Sequence, residues 1–239
     1  MSEIAILMAA GMGTRMRPIT EKKPKPLISV NGKPMIETVI EGLQKRGVDS
    51  FFVVVGYLGE KFKYLTQKYN NLVIVKNDSY RTVNNISSMY TICDKLLCTD
   101  SDCFVCEADL YVKDDSIFGV NLTNSCYYGK YVQGYSDDWV FDCDETGRIT
   151  RVGKTGNSQY NMVGISWFKK EDAHILGEII QEAYGKAGYE KLFWDDVVNG
   201  NLDKLNLVVN EIPEDSIVEL DTVKELAEVD GSYRKGSLI

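Results

Sequence analysis

The residues whose types and spacing most directly suggest chemistry are two glycines and a group of cations near the N-terminus. Gly11 and Gly13 follow an apolar run, Ile4 to Ala10, and are followed in turn by Arg15, Arg17, Lys22, Lys23 and Lys25. The apolar run reads as a buried strand, and the glycines free the backbone to fold closely around something that side chains would exclude. Backbone N–H groups exposed in such a turn hold anionic oxygens, and the cations add positive charge, so a phosphate is the expected ligand. The chain as a whole is acidic, with 35 Asp and Glu against 27 Lys and Arg and a net charge of -8. A nucleic-acid binder would carry a basic face over much of its domain. The expected partner is therefore a small anion, held locally.

Two familiar phosphate loops do not fit. The dinucleotide fingerprint needs a third glycine where Met16 stands, and the nearest Walker-like stretch, Gly147 to Thr155, has one residue too many between its glycines. That stretch reads as a β-hairpin. What remains is Ala9-Ala10-Gly11-x-Gly13-x-Arg15, followed by Lys25 in Pro-Lys-Pro-Leu, with Met8 in a place where leucine is usual. Here the chain resembles the nucleotidyltransferase family, the sugar-nucleotide pyrophosphorylases and cytidylyltransferases that join a nucleoside triphosphate to a phosphorylated acceptor. The resemblance implies a Rossmann-like α/β fold, a doubly wound and mostly parallel sheet. It also implies that Ala9, Ala10, Gly11, Gly13 and Thr14 line the nucleotide. Arg15 and the loop amides would hold its β and γ phosphates, and Lys25 would neutralise charge at the α phosphate. A glycine-rich surface turn with solvated cations is the bland alternative.

The elements that must position these residues follow in order. Leu27 to Val30 reads as a short strand and Asn31-Gly32 as a turn. Pro34 opens a helix with apolar positions Met35, Ile36, Val39, Ile40 and Leu43, ending near Gly47. Ser50 to Gly56 is a second core strand, Leu58 to Lys68 a helix and Leu72 to Val75 a third strand, an alternation that predicts the doubly wound sheet. Ligands then bind beyond the carboxyl ends of the strands, where Gly56 and Tyr57 should face the same crevice as Gly11. A helix is expected from near Asn85, and a fourth strand from Asp102 to Ala108. From Ser125 to Phe168 the signals turn to strands and tyrosines, read as a small β-rich acceptor lobe grown onto the core. One nucleotidyltransferase domain is expected over 1-239, with the core at about 1-124 and 200-230 and the lobe at about 125-199. The residues from Asp230 to Ile239 are polar and expected to fray, or to lead on if the natural chain is longer.

Asp109 leaves the fourth strand at its carboxyl end, well placed to hold Mg²⁺ beside a triphosphate. Glu107 is close, without an evident role. Asp221, after the short strand Ile217 to Leu220, reads equally as the N-cap of a helix from Thr222 to Val229. The resemblance assigns both Asp109 and Asp221 to the metal. Asn84, Asn85 and Ser88 at the start of their helix are cap candidates, and equally suit the donor and acceptor edge of cytosine. In relatives, an Arg-x-x-Asn-Asn-Ile segment like Arg81 to Ile86 borders the nucleotide.

Trp139 in Asp137-Asp138-Trp139, and Phe193-Trp194-Asp195-Asp196, offer rings and carboxylates of the kind that hold a quaternary ammonium. Either tryptophan alone reads as well as a core residue. The arrangement of Asn84, Asn85, Trp139, Trp194, Asp195 and Asp221 is similar to that of the bacterial CTP:phosphocholine cytidylyltransferases over nearly the full chain. The resemblance implies CMP transfer from CTP to phosphocholine, with Trp139, Phe193, Trp194 and Asp195 on the acceptor. Related enzymes take 2-aminoethylphosphonate, whose primary ammonium can donate hydrogen bonds to Asp195 or Asp196. A sugar 1-phosphate acceptor and a non-catalytic nucleotide sensor are the other readings. A phosphate monoester is largely dianionic at neutral pH, its second pKa being about 6, so the attack needs no general base. That suits a chain whose one histidine, His174, has no evident triad partners.

The six cysteines read as buried free thiols rather than metal ligands or disulfides. No apolar run suggests a membrane span and no secretory pattern opens the chain, so the expected location is cytoplasmic, with a homodimer as one assembly open to it.

Overall fold

The N-terminal apolar run becomes the middle of a seven-stranded sheet. In the computed structural model, which describes residues 2–234, it forms β1 (Glu3–Ala9), whose Ala5, Ile6, Leu7 and Ala9 are buried. The loop that follows closes with a single turn of 3-10 helix over Lys25–Leu27, where a short strand had been expected to begin. The hairpin β2 (Ser29–Val30) and β3 (Lys33–Pro34) then turns at Asn31-Gly32 and leads into α1 (Met35–Arg46). Met35, Ile36, Val39, Ile40 and Leu43 all face the core, and Gly47, at φ 99°, ends the helix in the left-handed conformation that glycine adopts freely.

The alternation continues through β4 (Ser50–Val55), α2 (Lys63–Lys68) and β5 (Leu72–Lys76). The helix expected from Asn85 divides into α3 (Ile86–Thr91) and α4 (Cys93–Cys98). Thr91 Oγ1 donates 2.7 Å back to the Ser87 carbonyl, a contact that bends helices, and the chain leaves helical dihedrals at Ile92. Next come β6 (Asp102–Glu107), β7 (Leu110–Val112), and the long pair β8 (Cys126–Cys143) and β9 (Ile149–Phe168). The chain ends in α5 (Lys170–Ala183), α6 (Trp194–Asn199), β10 (Val208–Glu211), β11 (Ile217–Glu219) and α7 (Val223–Val229).

The strand order is β10-β8-β9-β6-β1-β4-β5. The run β6-β1-β4-β5 is parallel, β9 enters antiparallel beside β6, and β10 returns parallel to β8. This is the expected Rossmann-like, mostly parallel architecture. Helices α1 and α2 cover one face, through a core that includes Leu7, Val53, Phe62 and Phe104; α3 to α6 cover the other, around Ile6, Met89, Phe168 and Trp194. The tyrosine-rich segment, expected as a lobe grown onto the core sheet, contributes to that sheet directly. β8 and β9 are strands of the central sheet itself, and their Tyr127, Tyr128, Trp167 and Phe168 are buried. Only the far part of the hairpin, where Tyr131 and Tyr135 are exposed, projects beyond it.

The expected fraying from Asp230 is also corrected as far as Arg234. Asp230 accepts from the Asn31 and Ser232 amides, and Tyr233 Oη donates 2.9 Å to the Ser29 carbonyl. These contacts tie the end of the chain to the β2–β3 hairpin; residues 235–239 lie outside the described part. Among the described residues no helix is long and apolar enough to cross a membrane.

Candidate active site

Parallel strands that share a register bring their carboxyl ends to one edge. β1 pairs Met8 with Glu107 of β6 and Ala9 with Val55 of β4. The glycine loop after β1 and the turn carrying Asp109 after β6 therefore open into the same cleft, about 540 Å³ in volume. Ala9, Ala10, Gly11, Gly13, Thr14 and Arg15 form one wall, Lys25, Asp109 and Asp221 the floor, and Trp139, Lys154 and Phe193 the far end.

Lys25 is the centre of the charge arrangement. Its Nζ lies 2.8 Å from Asp109 Oδ2 and 2.8 Å from Asp221 Oδ1, while Arg15 Nη2 reaches Asp221 Oδ1 at 2.9 Å. Gly13 makes the close approach of Lys25 feasible, because a Cβ there would stand 3.0 Å from Lys25 Cβ and 3.1 Å from Thr20 Cγ2 at a φ of 58°. Thr20 Oγ1 in turn donates 2.8 Å to the Gly13 carbonyl and fixes the loop. Burial works against the lysine's charge, but the carboxylates of Asp109 and Asp221 outweigh it and hold the pKa above the ordinary lysine range. Lys25 is thus a fixed cation throughout the neutral range.

Asp221 does not cap the helix it precedes. Thr222 takes that position: its Oγ1 accepts from the Glu225 amide, and Glu225 Oε2 accepts from the amides of both Asp221 and Thr222. The capping box holds the Asp221 backbone and leaves its carboxylate to Arg15 and Lys25. Nor do Asn84 and Asn85 cap α3 with their side chains. Asn84 Nδ2 donates to the Lys191 carbonyl, and Asn85 Oδ1 accepts from the Trp194 amide at 2.9 Å. These two contacts bind α3 to the segment leading into α6. Asn85 and Ser88 line the cleft, and Asn84 does not.

Gly56 and Tyr57 also stand outside the cleft lining. A Cβ on Gly56 would lie 2.6 Å from the Tyr80 ring, so the glycine admits that ring, and the Tyr57 amide donates 3.2 Å to the Ala10 carbonyl. Their work is to hold the end of the glycine loop. The residues expected on the acceptor divide in the same way. Trp139 and Phe193 meet edge to face at the cleft, 5.5 Å between centroids. Trp194 is 3% exposed, stacked on Tyr127 and edge-on to Phe168. Asp195 is buried and accepts from Tyr127 Oη at 3.1 Å, and its burial pushes the carboxyl from 3.8 up to about 7. Helix α6 starts at Trp194, so consecutive residues diverge by about 100° and only Phe193, still extended, faces the cleft.

The cleft also collects further acids, of which Glu219 was not foreseen in it. Glu107 and Glu219 line it next to Asp109 and Asp221, with Asp137 and Asp138 on β8. Burial first, then neighbouring carboxylates, push both glutamates upward. Both face the cleft's solvent, which screens much of that push. Gly164, at φ 72° on β9, makes room for Glu107, since a Cβ there would lie 2.9 Å from its Oε2. Outside the site, His174 Nε2 sits 2.7 Å from the Thr99 carbonyl, and all six cysteines are free, Cys98 and Cys143 being exposed rather than buried.

The different surroundings of the two tryptophans make a direct expectation. Trp194→Ala should cost about 3–5 kcal/mol of stability, the usual toll of a large aromatic cavity. Trp139→Ala should cost clearly less and instead alter the acceptor KM, because its ring lines the cleft. Denaturant titration and acceptor KM of both variants check this, and equal loss of stability would contradict the placement.

A parallel sheet with a glycine loop, an Arg–Lys pair and facing carboxylates at its carboxyl edge defines a protein that handles a nucleoside triphosphate. Residues 4–126 match the family model described as Nucleotidyl transferase, and the chain belongs to that family. It is 49% identical over 229 residues to the 2-aminoethylphosphonate cytidylyltransferase of Lancefieldella rimae, covering 96% of this chain and 92% of that protein. It is 34% identical to the choline-phosphate cytidylyltransferase of Streptococcus pneumoniae, over 92% and 94% of the two chains. The solved structure of CTP:phosphocholine cytidylyltransferase from Streptococcus pneumoniae superposes with a TM-score of 0.87 at 31% identity, covering 97% of this chain and 99% of that one. The protein is a cytidylyltransferase.

Proposed function

We propose that this cytidylyltransferase transfers CMP from CTP to 2-aminoethylphosphonate, releasing pyrophosphate. The observation that carries the acceptor choice is the acidic end of the cleft, where Asp137, Asp138 and Glu219 line the wall beside Trp139 and Phe193. A primary ammonium donates three hydrogen bonds to such carboxylates, whereas a trimethylammonium donates none. The 49% identity to an enzyme named for this acceptor supports the reading. Phosphocholine is the second reading, favoured by the Trp139–Phe193 ring pair, which has the edge-to-face form of a partial aromatic cage.

In the reaction a phosphonate oxygen forms a bond to the α phosphorus as the bond from that phosphorus to the β-bridging oxygen breaks, and the electron pair leaves with pyrophosphate. An anionic oxygen attacks, so no side chain has to remove a proton. The protein's part is alignment and charge stabilisation. Arg15 and the amides of Gly11 and Gly13 hold the β and γ phosphates; Lys25 holds the α phosphate; Asn85 and Ser88 face the base. Among the described residues no cluster of three or more His, Cys, Asp or Glu side chains is disposed to hold a metal. Asp109 and Asp221, which converge on one point now taken by Lys25 Nζ, nevertheless fit Mg²⁺. That ion is commonly held by one or two carboxylates together with substrate phosphates, and bound there it would offset the repulsion between acceptor and nucleotide.

Pyrophosphate release with Mg²⁺, across CTP, UTP, dTTP and ATP against 2-aminoethylphosphonate, phosphocholine, phosphoethanolamine and glucose 1-phosphate, tests the reading. CTP with 2-aminoethylphosphonate is expected to give the highest kcat/KM. Preference for phosphocholine would establish the second reading instead.

A further inference from the structure

Three cations line the cleft, and two of them are already paired. Arg15 and Lys25 reach the carboxylates of Asp221 and Asp109, while Lys154 has no carboxylate within salt-bridge distance among the described residues. Lys154 Nζ instead lies over aromatic faces, 5.0 Å from the Phe193 centroid and 5.6 Å from that of Trp139. The placement is built into the fold. Lys154 of β9 stands directly opposite Trp139 of β8, and Phe193, which comes from a separate segment, is held by its amide's 2.8 Å bond to Asp196 Oδ2.

We propose that Lys154 sets acceptor choice by occupying, as an internal cation, the ring faces on which a quaternary ammonium would otherwise bind. The inference rests on the acceptor reading above. A ring pair attracts one cation at a time, and two like charges at one face repel. A trimethylammonium has no hydrogen-bond donor with which to use the neighbouring acids, so it must displace the lysine. A primary ammonium can donate to Asp137, Asp138 or Glu219 and leave Lys154 where it is. The same rings that suggest a choline cage are thereby closed to choline.

Lys154 is exposed, so Lys154→Met, which keeps the stem and removes the charge, should fold. Two measurements separate this inference from the acceptor reading. The first is calorimetric titration with tetramethylammonium, which needs no turnover: binding is expected to tighten about tenfold or more in Lys154→Met relative to wild type and to Lys154→Arg, the gain that a freed cation–π site supplies. The second is the ratio of kcat/KM for phosphocholine to that for 2-aminoethylphosphonate, expected to rise about tenfold in Lys154→Met. Unchanged tetramethylammonium affinity would overturn the role of Lys154 whatever the enzyme's acceptor. An equal fall for both acceptors would also overturn it, placing Lys154 on their shared phosphorus oxygens. Wild type that uses neither acceptor would refute the acceptor reading alone, with the titration still deciding Lys154.

Discussion

Lys25→Ala is expected to lower kcat/KM for pyrophosphate release by about 10²–10³, the cost of removing one preorganised charge from a developing transition state. Lys25 is only 7% exposed and its Nζ is fixed at 2.8 Å from two carboxylates on different elements, so no flexible surface lysine can substitute for it. Lys25→Arg should rescue little, since Gly13 lies close against the lysine stem and a planar guanidinium needs more room than an ammonium. The loss should not be one of folding. Asp109 and Asp221 are 29% and 26% exposed, and solvent offsets part of the charge left unpaired. The destabilisation should therefore fall below the 3–5 kcal/mol typical of a broken buried pair. The pH dependence is one-sided. A lysine whose folded pKa is raised contributes stability that is complete below its ordinary 10.5 and lost only as pH rises beyond it, so thermal stability between pH 6 and 9 should not change through Lys25. Kinetics and melting curves of both variants check these expectations together, and near wild-type turnover in Lys25→Ala would remove the residue from the catalytic set.

Much of this was legible in the sequence, because the signals were local. The strand–loop–cation order from Ile4 to Lys25 defined both an element and its chemistry, and the sheet followed from the alternation of apolar periods. What was not legible depended on pairing between distant strands. Nothing within Ser125 to Phe168 says that its hairpin inserts between β10 and β6 of the central sheet rather than standing beside it. Trp194 and Phe193 are adjacent, and only the start of α6 between them sends one ring into the core and the other to the cleft. Lys154 lay inside the stretch set aside as a failed phosphate loop, and its role depends on the Trp139 register that the hairpin imposes. Glu107 was within reach of sequence reasoning. The strand period of two that buries Ala108 puts Glu107 on the same side as Asp109, and the same period puts Glu219 with Asp221. The cleft therefore collects two Glu-x-Asp pairs, one from the end of β6 and one from the end of β11.

That crowding of acids shapes the second large effect. Asp109→Asn keeps the volume and removes the charge, and is expected to reduce turnover by about 10²–10³ while leaving the free protein as stable as wild type or more so. Asp109 has two electrostatic relations in the free protein, and they oppose each other. It attracts Lys25 at 2.8 Å, and it is one of the carboxylates whose charge drives Glu107 and Glu219 upward. With the aspartate gone, Lys25 retains Asp221, so the attraction is halved rather than lost, and the repulsion from two neighbouring acids is relieved. A carboxylate that lowers the stability of the resting protein would act in the complex, where a Mg²⁺ ion bound at the proposed site would give it a positive partner beside the phosphates. The melting temperature without ligand and the Mg²⁺ concentration for half-maximal rate distinguish the possibilities. An unchanged or higher melting point, with the Mg²⁺ requirement raised about tenfold or more, fits a metal-holding carboxylate. A melting point that falls in step with activity, at an unchanged Mg²⁺ requirement, would make Asp109 a structural counter-ion for Lys25 and leave Asp221 as the sole candidate on the metal.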